Sequence, residues 1–181
     1  MKSAHRNAGH GAGRNDARHT REEGAFSVRP IAAHETRDIF NWRNDDATLA
    51  LTCHADPVSW THHQRWFNDS LNSVKNDTLL CVLDNSAQEK LALVRFGLSD
   101  DGQRAEIALE IQPDKGEVSE LAVMTTVLSD FWQRHPDCET IDARVNASDA
   151  LAITLFELAG FVCLGAETGG VVHFVMPAPA R

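Results

Sequence analysis

The segment AEIALEIQPDKGEVSELAVM, residues 105–124, joins two kinds of regular pattern. Ile107, Leu109 and Ile111 alternate with small or polar residues, which is the period of a half-buried strand. After a turn signal at residues 113–116, apolar residues recur every three or four positions, as in a helix with one buried face: Leu121, Met124, Leu128 and Phe131. The segment therefore predicts a strand, a turn and a helix N-terminus. Such a terminus offers unpaired N–H groups and a positive dipole end, which suit a phosphate group.

The composition restricts what kind of protein this chain can be. Its 181 residues have the length of a single domain, and 43% hydrophobic residues are enough for a core. A net charge of −9 argues against nucleic acids or anionic membranes as partners. The sequence has no apolar run long enough for a membrane helix and no signal-peptide pattern, so we expect a cytoplasmic protein. The four cysteines are scattered without metal-ligand spacing, so no metal site is expected.

The first 25 residues differ in composition from the rest of the chain. Residues 1–25 are rich in Gly, Ala, Asn, Arg and His and show no apolar periodicity. Because such a segment has little apolar surface to bury, we predict that it is a disordered tail. Periodic patterns begin at Phe26, and we expect residues 26–181 to form a single domain.

Helix and strand patterns follow one another in the order β-α-α-β-β-β-α-β-α-β-β. The first two helices, Glu35–Arg43 and one that begins after the N-cap residue Ser59, are separated by a polar loop. Consecutive antiparallel strands follow, with a hairpin signal at residues 99–102. A helix crossover then links two strands that can lie parallel. The predicted fold is α/β (α+β), a mixed, mostly antiparallel sheet of about six to seven strands flanked by helices.

This order, with particular residues in three segments, resembles the GNAT superfamily of acyl-CoA-dependent N-acyltransferases. The first segment pairs WRND at residues 42–45 with HQRWF at residues 63–67, and it looks like the subgroup that contains the pseudaminic-acid pathway N-acetyltransferases. The second is LVRF at residues 93–96 followed by AEIALEI at residues 105–111. The third, DALAITLFELAGF at residues 149–161, resembles a family helix whose first residue is usually Asn.

The resemblance implies acetyl-CoA as the acyl donor. In the family, the strand matching the one that ends at Ile111 splays from its neighbour, and its free backbone groups, here at Leu109, Glu110 and Ile111, pair with the pantetheine arm. The next loop wraps the pyrophosphate in a pattern like R-G-x-G-x-G, and the matching residues are Lys115, Gly116, Glu117, Val118, Ser119 and Glu120. Val118 and Glu120 replace two glycines, so the loop is degenerate. Asp149 either contacts the cofactor arm or only caps its helix.

Acyl transfer to an amine requires a base that makes the amine neutral and N–H groups that polarise the thioester carbonyl. Glu106 is a candidate base, because the family often has a Glu on this strand, or else it is a solvent-facing strand residue. Glu110 on the same face is a second candidate. His63 is either catalytic or a satisfied core histidine, and His173 lies beside the expected acceptor groove. Phe156 stands where many family members have a proton-donating Tyr, and the chain contains no tyrosine.

Two residues at the end of the first helix lie where family members admit the acceptor. Trp42 either stacks on a sugar or base or packs beneath the helix, and Arg43 could pair with an acceptor phosphate or carboxylate. The resemblance therefore implies an N-acetyltransferase acting on a primary amine of a small molecule, with a nucleotide-linked amino sugar as the candidate acceptor. By analogy alone, the final strands would also allow a homodimer.

Two alternative functions stay open. Transfer to a protein N-terminus is one, since related enzymes share the same helices. A catalytically silent GNAT-fold binding module with a decayed CoA loop is the other, indicated by Val118, Glu120 and the absence of tyrosine. Substituting glycine for Val118 and Glu120 separates the silent module from a working acetyltransferase, because a decayed loop would regain acetyl-CoA affinity, whereas a working loop would lose affinity or barely change it.

Overall fold

A computed structural model describes residues 26–51, 56–72, 77–84, 89–112 and 119–180. The predicted tail, residues 1–25, lies outside the described residues. The strands are β1 Phe26–Pro30, β2 Asp77–Asp84, β3 Lys90–Leu98, β4 Arg104–Ile111, β5 Thr140–Asn146, β6 Val162–Glu167 and β7 Val171–Pro177. The helices are α1 Thr36–Arg43, α2 Asp46–Leu51, α3 Trp60–Leu71, α4 Glu120–Arg134 and α5 Ala150–Leu158, and a 3-10 turn at Ala33–Glu35 precedes α1.

The seven strands form one sheet in the order β1-β2-β3-β4-β5-β7-β6. Strands β1 to β4 pair antiparallel with their sequence neighbours, and β7 pairs antiparallel with both β5 and β6. The one parallel pair joins β4 to β5, which are connected through the crossover helix α4. The predicted mixed, mostly antiparallel sheet is therefore confirmed.

The two faces of the sheet carry different cores. Helices α4 and α5 cover one face, where large fully buried side chains include Val94, Phe96, Met124, Phe131, Ile141 and Phe174. On the other face, α1 and α3 enclose a smaller core formed by Ile31, Ile39, Trp42, Phe67 and Leu93. Leu93 on β3 belongs to this second core. Because side chains alternate along a strand, the positions of β3 and β4 that share its face also point toward α1 and α3.

Local sequence signals determine where the helices begin and end. Ser59, Ser119 and Asp149 each accept a hydrogen bond from the backbone N–H three residues later, so each caps the N-terminus of its helix. Gly160 follows α5 with φ of +97°, a left-handed conformation that glycine adopts without steric strain. In the predicted hairpin turn, Gly102 has φ of +70° and its N–H donates to the Ser99 carbonyl at 2.9 Å.

One predicted loop is wrong in part. The segment between the first two predicted helices contains α2, a helix of six residues at Asp46–Leu51. Asp45 accepts a hydrogen bond from Ala47 N at 3.0 Å, so a carboxylate initiates the turn that the sequence pattern assigned to a loop. A helix this short spans less than two turns, and it therefore shows no usable apolar period.

None of the helices in the described ranges is long and apolar enough to cross a membrane.

Candidate functional site

The parallel strands β4 and β5 are paired over only part of their length. Their pairing runs from Arg104 opposite Thr140 to Ile107 opposite Ala143 and then ends. Beyond that point β4 stays paired with β3, up to Ile111 opposite Ala92, and β5 stays paired with β7. The two strands therefore part at their carboxyl ends. The backbone edge of Leu109–Ile111 that faces β5 is left without β5 as a partner.

Helix α4 is the next described element after β4 along the chain. Ser119 caps this helix by accepting from Ala122 N at 3.2 Å, and Glu120 occupies the first turn with its side chain exposed. Lys115, Gly116, Glu117 and Val118 lie outside the described residues, so their contacts to a pyrophosphate stay predictions.

Asp149 starts the helix that follows β5. Its Oδ1 accepts a hydrogen bond from Ala152 N at 2.9 Å, which is the geometry of an N-cap. Of the two interpretations of this residue, the structure therefore displays capping. A contact between Asp149 and the cofactor arm stays a prediction.

Glu110 lies on β4 and points toward α1 and α3, because it is directly opposite Leu93. Its side chain is only 21% exposed, and Arg43 Nε is 3.5 Å from Oε1. Oε2 is buried and has no hydrogen-bond partner in the described part of the chain. Burial raises the pKa of this carboxyl, against the opposing influence of Arg43 and Arg95. Glu110 therefore has the environment expected of a base, a partly desolvated carboxylate with one oxygen unoccupied.

Glu106 lies on the same face of β4 but in a different environment. Its side chain is 46% exposed, and Oε2 accepts from Arg144 Nη1 at 2.9 Å. Arg144 also contacts Glu167 at 3.4 Å, so Glu106 belongs to a chain of surface ion pairs. This is the solvent-facing position that strand alternation allowed.

His63 is fully buried between α1 and α3. Its Nε2 is 2.9 Å from the Thr36 carbonyl oxygen, which can only accept, so Nε2 carries the proton. Nδ1 is buried without a hydrogen-bond partner among the described residues, and burial lowers the pKa of the imidazole. Four aromatic rings surround it, those of Phe40, Trp60, Trp66 and Phe67. These contacts support the interpretation of His63 as a core histidine.

Trp42 and Arg43 have different surroundings. Trp42 is 9% exposed within the core of α1 and α3, so it packs beneath its helix, and its buried Nε1 has no hydrogen-bond partner in the described ranges. Arg43 extends from the end of α1 with its Cζ 4.5 Å from the centre of the Trp66 ring. Its guanidinium therefore lies between an aromatic ring and the Glu110 carboxylate.

A second polar group lies on β5 and β7, on the same face of the sheet. His173 Nε2 is 2.7 Å from Asp142 Oδ1, and His173 Nδ1 is 3.4 Å from Glu167 Oε1. Asp142 is in register with Glu106 on β4, and His173 is in register with Arg144. This group therefore borders the Glu106 ion pair, in the part of the sheet where β4 and β5 are still paired.

Phe156 lies on the opposite face of the sheet, inside the core of α4 and α5. Its ring is 4.9 Å from that of Phe161 and 5.9 Å from that of Phe174, measured between centroids. The side chain at this position therefore serves packing. In the described ranges, no group of three or more His, Cys, Asp or Glu side chains is arranged to hold a metal ion.

The arrangement of Arg43, Trp66 and Glu110 is the feature that sequence reasoning missed. Strand alternation placed Glu110 on a face, but it could not show that α1 ends above that face. Arg43 and Glu110 are 67 positions apart, and no periodic pattern in the sequence links them. The pairing depends on tertiary packing of α1 and α3 over β3 and β4.

No protein-family model matches the sequence, and no curated protein matches it. Among solved structures, spermidine N-acetyltransferase from Vibrio cholerae, in complex with CoA and spermine, superposes with a TM-score of 0.72 at 18% identity, covering 85% of this chain and 96% of that one. The aminoglycoside acetyltransferase AAC(6')-Ib, in complex with coenzyme A and kanamycin, gives 0.70 at 16% identity over 84% and 94%.

A domain from Methanocaldococcus jannaschii is similar to the same degree, with a TM-score of 0.70 at 18% identity over 84% of this chain and 97% of that one. At such low identities the likeness concerns the fold and not the substrate. The seven-stranded sheet with its parted parallel pair and its flanking helices is the GNAT fold.

Proposed function

We propose that this protein is an N-acetyltransferase that moves an acetyl group from acetyl-CoA to a primary amine of a small molecule. The observation that carries the proposal is the parting of β4 and β5 beside a partly desolvated carboxylate, Glu110. Support also comes from the neighbours in fold, whose solved structures contain CoA together with spermine or kanamycin.

The residues at the parted strands fit the acyl donor. The backbone of Leu109–Ile111 presents amide groups toward the gap, which suit the amides of a pantetheine arm. The next described element along the chain is α4, and a helix N-terminus suits a pyrophosphate. Acetyl-CoA, when bound, would supply the activated acyl carbon.

Glu110 is the residue to which we assign the role of base. An acceptor amine is protonated at neutral pH and must lose a proton before it can react. Glu110 Oε2 has no hydrogen-bond partner in the described residues and can take that proton. The neutral amine nitrogen then forms the new C–N bond, the C–S bond breaks, and its electron pair leaves with the sulfur. The second proton released by the nitrogen passes through solvent to that thiolate, which gives the amide and free CoA, and Glu110 returns its own proton to solvent. Glu106, engaged with Arg144, is the alternative base.

The finer identity of the acceptor is also a proposal. The Trp42–Asp45 and His63–Phe67 segments resemble enzymes that act on nucleotide-linked amino sugars, which is the acceptor class we favour. The Arg43 guanidinium can pair with a phosphate, and it lies on the face of the sheet that carries Glu110.

The first experiment is isothermal titration of the full chain with acetyl-CoA at moderate salt. We expect one-to-one binding in the micromolar range, followed by acetyl transfer to one or more amines in a screen that starts with nucleotide-linked amino sugars. No detectable heat up to millimolar acetyl-CoA, with an unchanged melting temperature, would overturn the proposal and favour a silent binding module.

The second experiment compares two carboxylates on one strand. Glu110→Gln should lower kcat/KM by about 10²- to 10⁴-fold, the usual contribution of a general base. Glu106→Gln, which removes a charge from the same strand face, should lower kcat/KM by less than about tenfold. The reverse ranking would assign the base to Glu106.

A further inference from the structure

Three elements meet around the Arg43 side chain. Arg43 is the last residue of α1, Trp66 lies on α3, and Glu110 lies near the end of β4. The guanidinium carbon is 4.5 Å from the centre of the Trp66 ring, which is within the range of a cation–π contact. The same guanidinium is 3.5 Å from Glu110 Oε1, measured from Nε. We call this three-residue contact the Trp66–Arg43–Glu110 clamp.

The two oxygens of Glu110 are not equivalent in this arrangement. Oε1 contacts Arg43, whereas Oε2 is buried without a hydrogen-bond partner in the described part of the chain. A buried carboxylate oxygen without a partner is costly, and native proteins retain one where it has a use. The clamp therefore leaves one defined oxygen available.

We propose that Trp66 is a positioning residue for the acetyl transfer, because its ring holds Arg43 against Oε1 of Glu110 and so presents Oε2 to the acceptor amine. The inference rests on the proposed function of Glu110 as the base. An arginine that lacked the aromatic ring would sample many rotamers, since its side chain has high rotational entropy. Glu110 would then lose both its fixed rotamer and its fixed cation.

The charged groups around Glu110 come from every element that packs against it. Arg43 approaches from α1 and Arg95 from β3, and both favour the ionised carboxylate. On α3, the ring of His63 is 5.6 Å from that of Trp66, and burial lowers the pKa of this histidine. On the same face of the sheet, β4 contributes Glu106 and β5 contributes Asp142 and Arg144. Arg144 pairs with Glu106 and Glu167. Asp142 pairs with Arg104 and His173.

The test is the variant Trp66→Leu, which removes the ring but keeps an apolar side chain. Loss of the clamp takes the cation away from Glu110, so the pKa of its carboxyl should rise. That pKa is read directly by carbon NMR titration, with the resonance assigned from Glu110→Gln. In the assay, kcat should fall about tenfold with a smaller change in KM, and the acid limb of the pH profile should move to higher pH.

Two further variants make the result specific. Trp66→Phe retains an aromatic face and should restore most of the wild-type pKa and kcat. Trp132→Leu, on the opposite face of the sheet, removes a partly buried tryptophan of the other core and should leave both unchanged. If Trp66→Leu does not fold, Arg43→Gln tests the same contact and should raise the Glu110 pKa in the same direction.

The outcomes separate this inference from the proposed function. An unchanged Glu110 pKa and pH profile in Trp66→Leu, with only a lower melting temperature, would show that Trp66 serves packing alone and would overturn the inference. A raised pKa in a protein that acetylates no amine would overturn the proposed function, while the physical clamp would stand.

Discussion

Two carboxyl groups in this molecule, one buried and one partly buried, have pKa values that move in opposite directions. Glu35 is 3% exposed and accepts two hydrogen bonds from Arg29, at 2.8 and 2.9 Å, and one from Ala32 N at 2.8 Å. Lys90 adds a contact at 3.1 Å. The hydrogen bonds from Arg29, more than any other cause, lower the pKa of Glu35 to about 2, whereas burial raises that of Glu110. Glu35 has hydrogen-bond partners on both oxygens and serves the structure, whereas Glu110 keeps one oxygen without a partner among the described residues and is available for chemistry.

We expect Glu35→Gln to lower the free energy of unfolding by about 3 kcal/mol at pH 7, from a pKa that falls from 4.5 to about 2. Because the folded pKa is depressed, the stabilisation is fully present above pH 4.5 and is lost as the pH falls toward 2. Urea unfolding of both proteins at pH 7, 4 and 2.5 measures the difference. A difference that is the same at all three pH values would contradict the ionic explanation.

Whereas folding favours the charged form of Glu35, it favours the neutral form of His63. Burial lowers its pKa below 6.5, so the unfolded chain binds a proton more readily than the folded one. Stability from this residue is present above pH 6.5 and decreases as the pH falls below it. We expect His63→Gln, which stays neutral and keeps a donor for the Thr36 carbonyl, to show a flatter decline of unfolding free energy between pH 7 and 5. Parallel curves for the two proteins would argue against a neutral buried His63.

At the scale of elements, the sequence predicted most of what the structure contains. The alternation at Ile107, Leu109 and Ile111 and the caps at Ser59 and Asp149 are local signals, and the structure confirms β4, α3 and α5. Helix α2 was missed because six residues are too few to show a period. The environments of Glu106 and Glu110 could not be predicted, because they depend on which elements lie above the sheet.

The cap of α5 gives a prediction that also separates the two interpretations of Asp149. Asp149→Ala should lower the unfolding free energy by about 1 kcal/mol, whereas Asp149→Asn, which can accept the same hydrogen bond from Ala152, should nearly preserve it. Thermal unfolding measures the stability, and titration with acetyl-CoA measures affinity in the same variants. A loss of affinity in Asp149→Ala beyond its loss of stability would point to contact with the cofactor arm.

At the scale of the whole molecule, one end of the sheet is largely uncovered. Strand β6 is the edge strand, and all of its residues are exposed. Among the described residues, the large apolar side chains that are most exposed are Leu151, Leu158, Val162 and Leu164, which all lie on α5 or β6. An exposed apolar edge strand is a surface on which another chain can pair.

We therefore expect the final strands to form the interface of a homodimer, as the family resemblance implies. Light scattering after size exclusion should give twice the chain mass of 19.9 kDa. Leu164→Lys places a charge on the edge strand and should shift the mass to that of one chain. Gln103→Lys, an exposed residue in the hairpin before β4, is the matched control. A monomeric wild-type protein at micromolar concentration would contradict the expectation.

The short pairing of β4 with β5 divides the sheet into two panels, whose strands meet along only part of their length. Four residue pairs connect the panel β1–β4 to the panel β5–β7. A ligand whose amides bonded to the open edge of Leu109–Ile111 would complete the missing rungs and act as a splint between the panels. Amide hydrogens of β4 and β5 where the strands part should then exchange more slowly with solvent when the donor is bound, so the protein would be mechanically stiffest when it is loaded for reaction.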